Sequence, residues 1–154
     1  MKHDGAVELI IRLPRPWKVR AGQYVHIWAP GIRFWSFAKS PPFTVIWWED
    51  GPDGKAVTIL LLAKTESGFS RALSDTRHKQ LHVLLDGPYG ECPDLTSYDS
   101  VTMIATGIGI AAQLPFVKEL LQRQLEKQNL NAERKLAKGP QRISLIWELE
   151  EERK

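Results

Sequence analysis

The chain has 154 residues, 43% hydrophobic and 25% charged, enough for one full core or two small ones and unlike the composition of a disordered segment. Its 21 basic and 18 acidic residues leave a formal charge of only +3, and no basic stripe accompanies the sequence pI of about 9.1, which argues against a nucleic-acid binder. The longest aliphatic run, residues 57–63, is a strand's length and far short of the ~20 residues that span a bilayer.

Asp4 and Glu8 fall inside what would be the apolar part of a secretion signal, so secretion is not expected. The one cysteine, Cys92, excludes an internal disulfide framework, suits a reducing compartment and reads as a small semi-buried hydrophobe. Residues 7–13 (VELIIRL) predict a strand ended by Pro14 and Pro16. Residues 24–29 (YVHIWA) alternate around His26 and stop at Pro30-Gly31. Residues 43–48 and 56–63 read as strands joined by EDGPDG, whose Asp-Gly and Pro-Asp-Gly runs are turn chemistry. Residues 67–76 (SGFSRALSDT) predict one short helix, and residues 81–85 another strand, closed by DGPYG. Short strands, regular turns and a single helix point to a small closed barrel of Greek-key type.

The last third follows a different pattern. Residues 101–105 form a short apolar strand, then TGIGIAA leads into a long helix in which Ile110, Leu114, Val117, Leu121 and Leu125 recur at helical spacing. Lys118, Glu119, Gln122 and Arg123 are expected on the opposite face. A polar loop over 128–140 precedes a second buried strand at 143–147, completing one βαβ unit of the kind that belongs to a larger parallel sheet. The expected fold is an all-β Greek-key barrel over residues 1–97, followed over 98–154 by the incomplete start of an α/β domain.

Four clusters invite chemistry. Thr106-Gly107-Ile108-Gly109-Ile110-Ala111-Ala112 fits G-x-G-x-x-A between a strand and a helix, where glycines let backbone N–H groups approach a phosphate and the helix end adds partial positive charge. A plain tight turn is the alternative. The acid usually found about 20 residues later is missing; Glu148 is the nearest substitute, while Arg153 would instead favour a 2′-phosphate. Gly68, Phe69 and Ser70 open the short helix and suit a phosphate, or simple capping by Ser67. The run GFSRA also comes near a nucleophile elbow, but His78 and His82 follow too closely to supply its base. The same two histidines are four apart, yet no cysteine or carboxylate completes a metal set, and no metal is expected. Finally, FWSFAKSPPFTVIWW puts Phe43 and Thr44 behind two prolines and among Trp35, Trp47 and Trp48, an odd place for a core strand and a suitable one for a flat ligand. Trp17 or Trp147 reads as core.

Taken together, AGQYVHIWAP (21–30), SPPFTV (40–45), SGFSRAL (67–73), DGPYG (86–90) and ATGIGIAAQLPFVKELL (105–121) resemble the ferredoxin–NADP reductase superfamily, in the branch of the fungal ferric-chelate reductases and NADPH oxidases. In that family a flavin-binding barrel precedes a nucleotide-binding domain, both on the cytosolic side of a haem-bearing transmembrane bundle. Electrons pass from NADPH or NADH to FAD, then through haem to an acceptor such as chelated iron.

The resemblance implies FAD-binding roles for Pro42, Phe43, Thr44 and Val45, with Phe43 stacked on the isoalloxazine and Thr44 at its redox-active nitrogen. Gly68, Phe69 and Ser70 match the start of the helix that receives the FAD pyrophosphate, and Thr106, Gly107, Ile108, Gly109 and Ile110 match the pyridine-nucleotide loop. Pro41 stands where the family has His, a loss that Lys39 or Lys64 would offset, and Thr106 replaces the loop's first glycine. No counterpart of the family's transmembrane bundle or of its C-terminal nicotinamide-aligning segment is found, so the chain reads as a fragment or a truncated product, inactive alone. A degenerate barrel without flavin, acting as a protein-interaction module, is the competing expectation.

Overall fold

A computed structural model describes residues 2–3, 5–30, 41–65, 71, 80–130 and 142–149. The chain divides into two compact units: Met1–Val19 with Gln23–Glu91, and Arg20–Gly22 with Cys92–Lys154. Residues 92–97, which the sequence reading assigns to the barrel, go with the second unit because Leu95 packs onto its core.

The first unit is a six-stranded antiparallel sheet. Its strands are β1 (Lys2–His3), β2 (Ala6–Trp17), β3 (Tyr24–Trp28), β4 (Pro42–Asp50), β5 (Ala56–Lys64) and β6 (Leu84–Tyr89), in the order β1-β2-β5-β4-β3-β6. Three successive strands, β3, β4 and β5, lie side by side, while β2 crosses over to pair with β5, which is Greek-key connectivity. Among the described residues eleven form its core, including Val25, Ile27, Phe43, Val45, Trp48, Ile59 and Leu61.

Prolines and bulges account for the differences from the expected strands. β2 does not stop at Pro14. It runs on to Trp17 through a register shift between Arg12 and Trp17, and a bulge is where a residue without an N–H costs the ladder least. β6 begins three residues later than expected and passes through the expected terminator: Asp86 pairs with His26 and Tyr89 with Tyr24, and the register shifts between those pairs. Gly87 sits at that shift with φ +135°, where an added Cβ would come within 3.2 Å of the Tyr24 carbonyl oxygen. In β4 the shift between Val45 and Trp47 breaks simple alternation, so Trp48 is buried and Trp47 is exposed. The β4–β5 turn behaves as its residues predict: Gly51 N–H donates to the Lys55 carbonyl, Gly54 adopts φ +70°, and Asp53 accepts from the Lys55 N–H. The expected helix over 67–76 lies outside the described residues except for Arg71, which is helical.

The second unit is the expected βαβ arrangement. Strand β7 (Ser100–Thr106), helix α1 (Ile110–Leu130) and strand β8 (Arg142–Glu148) follow in order, and β7 and β8 are parallel from Ser100 opposite Arg142 to Thr106 opposite Glu148. Val101, Met103 and Ala105 alternate inward along β7, with Leu120, Phe116, Val117 and Ile143 around the first two. The expected buried stripe of α1 needs correcting. Leu114, Leu121 and Leu125 are exposed, and the buried positions are Ala111, Pro115 and Leu120. The helix carries apolar residues on more than one face, so spacing alone does not say which face meets the sheet.

Nor is Glu119 a solvated charge. Its carboxylate accepts from Arg20 Nε (3.0 Å) and Nη2 (2.8 Å), from the Ala21 N–H (3.1 Å), and from Arg123 Nη2 (2.9 Å).

Candidate functional site

On β4, alternation sends adjacent residues to opposite faces. Phe43 (7% exposed) and Val45 are buried in the core, whereas Pro42 and Thr44 are exposed. The cross-strand register then identifies the neighbours of Thr44. Tyr24 lies opposite it and His26 opposite Pro42; on the far side of β3, Tyr89 lies opposite Tyr24 and Asp86 opposite His26. Directly paired residues share a face, with Cβ atoms about 4.5–5.5 Å apart.

The rings on this face touch. Tyr24 and His26 meet edge-to-face with centroids 5.7 Å apart, Tyr24 and Tyr89 are tilted at 5.8 Å, and His26 and Tyr89 meet edge-to-face at 6.0 Å. Tyr89 Oη donates to Asp86 Oδ1 at 2.7 Å, and this bond, more than any burial, holds the phenol's pKa above its ordinary value. Sequence reasoning missed Tyr24, His26, Tyr89 and Asp86. The signal was available in the period-2 alternation of YVHIW, which puts Tyr24 and His26 on the face opposite the core residues Val25 and Ile27.

Lys64, at the end of β5 opposite Ala6, is exposed. Gly68, Phe69 and Ser70 lie outside the described residues, as do Lys39, Trp35 and His78.

In the second unit, the expected loop residues come together at one helix end. Thr106 closes β7 in extended conformation, Gly107–Gly109 form a 3-10 turn, and α1 begins at Ile110. Gly107 has φ +48°, which favours glycine. Gly109 has no such need, and a Cβ built on it would meet nothing within 4 Å. Neither packing nor backbone conformation requires a glycine there. The first turn of α1 carries no acidic residue that would neutralise the positive end of its dipole. Trp147 is not a core residue: it is 49% exposed, and its indole Nε1 donates to the Gly107 carbonyl at 3.0 Å, fixing the turn. Glu148 sits beside Thr106 at the end of β8.

Among the described residues no group of three His, Cys, Asp or Glu is arranged to hold a metal ion, and no helix is long and apolar enough to cross a membrane. Cys92 is partly buried, and burial pushes its thiol pKa up, away from reactivity.

The chain thus combines a Greek-key sheet with a βαβ unit that carries a glycine turn. The family described as FAD-binding domain matches residues 1–93, and the chain belongs to that family. A ferric/cupric reductase transmembrane component (component 7) of Saccharomyces cerevisiae is 29% identical over 119 residues, covering 75% of this chain; the chain spans 18% of that relative's length. The fold is similar to that of an NADH-dependent reduced ferredoxin–NADP oxidoreductase, with a TM-score of 0.65 and 19% identity over 94% of this chain and 44% of the other. A ferredoxin–NADP reductase from Neisseria gonorrhoeae with bound FAD and NADP superimposes with a TM-score of 0.60 at 16% identity, over 94% of this chain and 62% of that one.

Proposed function

We propose that this chain is the flavin-binding electron-transfer module of a ferric-reductase-like oxidoreductase, which takes electrons from NADPH or NADH through FAD toward a haem and a metal-chelate acceptor. The observation that carries this reading is the register of β3 and β4, in which an exposed Thr44 stands beside a group of aromatic rings, half-buried at Tyr24 and His26 and exposed at Tyr89. The donor set suits a flavin: rings for a flat heterocycle and a hydroxyl for its polar edge.

Bound FAD supplies the redox chemistry, and the chain supplies orientation and electrostatics. In this reading Thr44 meets the redox-active edge of the ring, with Pro42 beside it. Phe43 and Val45 hold β4 in the core and so fix where Thr44 points. Gly68, Phe69 and Ser70 receive the FAD pyrophosphate, and Lys64, four residues earlier in the chain, adds a positive charge. The turn from Thr106 through Gly107, Ile108 and Gly109 to Ile110 receives the pyridine-nucleotide pyrophosphate at the N-terminus of α1. A haem-bearing transmembrane domain at the cytosolic face of a membrane is the expected partner in the whole protein.

The test is equilibrium dialysis of the purified chain against FAD, followed by its visible spectrum. Retained flavin with a perturbed blue absorption band is expected. Flavin that equilibrates freely across the membrane, with the spectrum it has in buffer, overturns the proposal.

A further inference from the structure

Resting on the flavin reading above, the geometry points to a specific seat for the ring: we propose that Tyr24, His26 and Tyr89, with Asp86 anchoring Tyr89, form the platform on which the isoalloxazine lies next to Thr44. Three observations lead there. First, the stacking role expected of Phe43 is at odds with its burial among Val25, Val45 and Leu61, because a ring that fills the core offers no open face. Second, the face that is open beside Thr44 is aromatic. Tyr24 is the direct cross-strand neighbour of Thr44, and Tyr89 is the neighbour of Tyr24 on the next strand, so the three residues form a row across β4, β3 and β6. Third, the rings are already ordered against one another. Each lies within 6.0 Å of the other two, and the Tyr89–Asp86 hydrogen bond sets the tilt of the outermost ring.

Aromatic side chains that lack a reason to be outside usually turn inward, yet Tyr89 remains 42% exposed at the edge strand. A large flat ligand would cover this group, and the electron-rich phenol rings of Tyr24 and Tyr89 suit the electron-poor ring of an oxidised flavin. The platform contacts only the ring, so riboflavin, which carries no phosphate, should sense it as strongly as FAD does.

The experiment titrates wild type, Tyr24→Ala, Tyr24→Phe and Tyr89→Ala with riboflavin and with FAD, following flavin fluorescence and heat of binding. Both alanine variants should lose roughly two- to tenfold in affinity, by the same factor for the two ligands, and Tyr24→Phe should restore it. Undiminished riboflavin affinity in folded Tyr24→Ala, or a loss confined to FAD, overturns the platform. If Tyr24→Ala does not fold, the wild-type protein still decides: the imidazole proton resonances of His26, assigned by their absence in His26→Gln, should shift on adding riboflavin, and unmoved resonances overturn the proposal. A wild type that binds neither flavin instead removes the functional reading itself, a result distinct from wild-type binding that the ring variants leave intact.

Discussion

At the scale of single residues, burial and hydrogen bonding separate groups that look alike in the sequence. Glu119 and Asp94 are both carboxylates in the second unit, but they do different work. Glu119 collects four donors on a side chain that is 19% exposed, so truncating it leaves the Arg20 and Arg123 guanidinium groups without their shared acceptor. Glu119→Ala should cost about 1–3 kcal/mol in urea unfolding, against changes within about 0.5 kcal/mol for the exposed Arg15→Ala.

Asp94 is exposed and caps the short 3-10 helix Leu95–Ser97, accepting from both the hydroxyl and the N–H of Thr96. Those hydrogen bonds, first the hydroxyl and then the backbone, hold its carboxyl pKa below the ordinary value. A lowered folded pKa means that the ionised form is the one folding favours. Its contribution is therefore complete above roughly pH 4 and is lost as pH falls through the folded value. Asp94→Ala should be less stable than wild type at pH 7, and the gap between their urea midpoints should close as pH falls toward 3. A gap that widens in acid would reverse the sign of the argument. Neither role was read from the sequence, although the cap is local to the Asp-Leu-Thr-Ser run. The Glu119 cluster depends on a partner 99 positions away, which no local pattern announces.

At the scale of elements, the two glycines Gly87 and Gly109 have opposite reasons to be there. At Gly87 a methyl would press on the Tyr24 carbonyl oxygen at 3.2 Å and on Val25 Cγ1 at 3.3 Å, at a φ of +135° that side chains avoid. Gly87→Ala should lower stability by about 1–3 kcal/mol and disturb the β3–β6 pairing. At Gly109 nothing stands in the way, so Gly109→Ala should leave the urea midpoint unchanged or slightly raised. The same methyl would occupy the space a pyrophosphate needs, and calorimetry with ADP-ribose should show weaker binding. Equal nucleotide affinity in the two proteins would make this turn a packing device only.

The elements themselves were largely legible. Alternating strands and the strand–glycine turn–helix order depend on neighbours in sequence, and they appear in the expected order, with β2 and β6 displaced at their ends. What escaped was set by pairing across strands. The β2 bulge carries a strand through two prolines, the β4 bulge exchanges Trp47 for Trp48, and α1 turns a different apolar face inward. The candidate site shows the same division. The Thr44 and Gly107–Gly109 segments are visible as motifs, whereas Tyr24, Tyr89 and Trp147 join them only through register and a 40-residue hydrogen-bond span.

At the scale of the whole molecule, the described residues of the two units form cores of different size. Eleven buried residues knit the first, with Ile59 and Leu61 at the centre of a strand paired on both sides. The second has three among the described residues, Val101, Met103 and Leu120, while the paired Ile104 (68% exposed) and Ile146 (55%) are exposed. Hydrophobic burial is the main favourable term in folding, so the smaller core should open at lower free energy and unfolding should depart from a single all-or-none step. Native-state hydrogen exchange can resolve this amide by amide. The Ile59 and Leu61 amides of β5 should exchange only by the highest-energy opening, whereas Met103 and Ala105 of β7 should exchange through a cheaper one with a smaller dependence on denaturant. Flavin enters the same measurement. A ligand bound only by the folded first unit adds RT ln(1 + [L]/Kd) to the stability of that unit, about 2.7 kcal/mol at a hundredfold excess over Kd. Protection of Val25, Val45 and Leu61 should rise by that amount when FAD is added. If Met103 is as protected as Leu61 in the free protein, the cores act as one and the division into units has no energetic meaning; if FAD leaves Val25 and Val45 unchanged, the face formed by β3 and β4 is not where it binds.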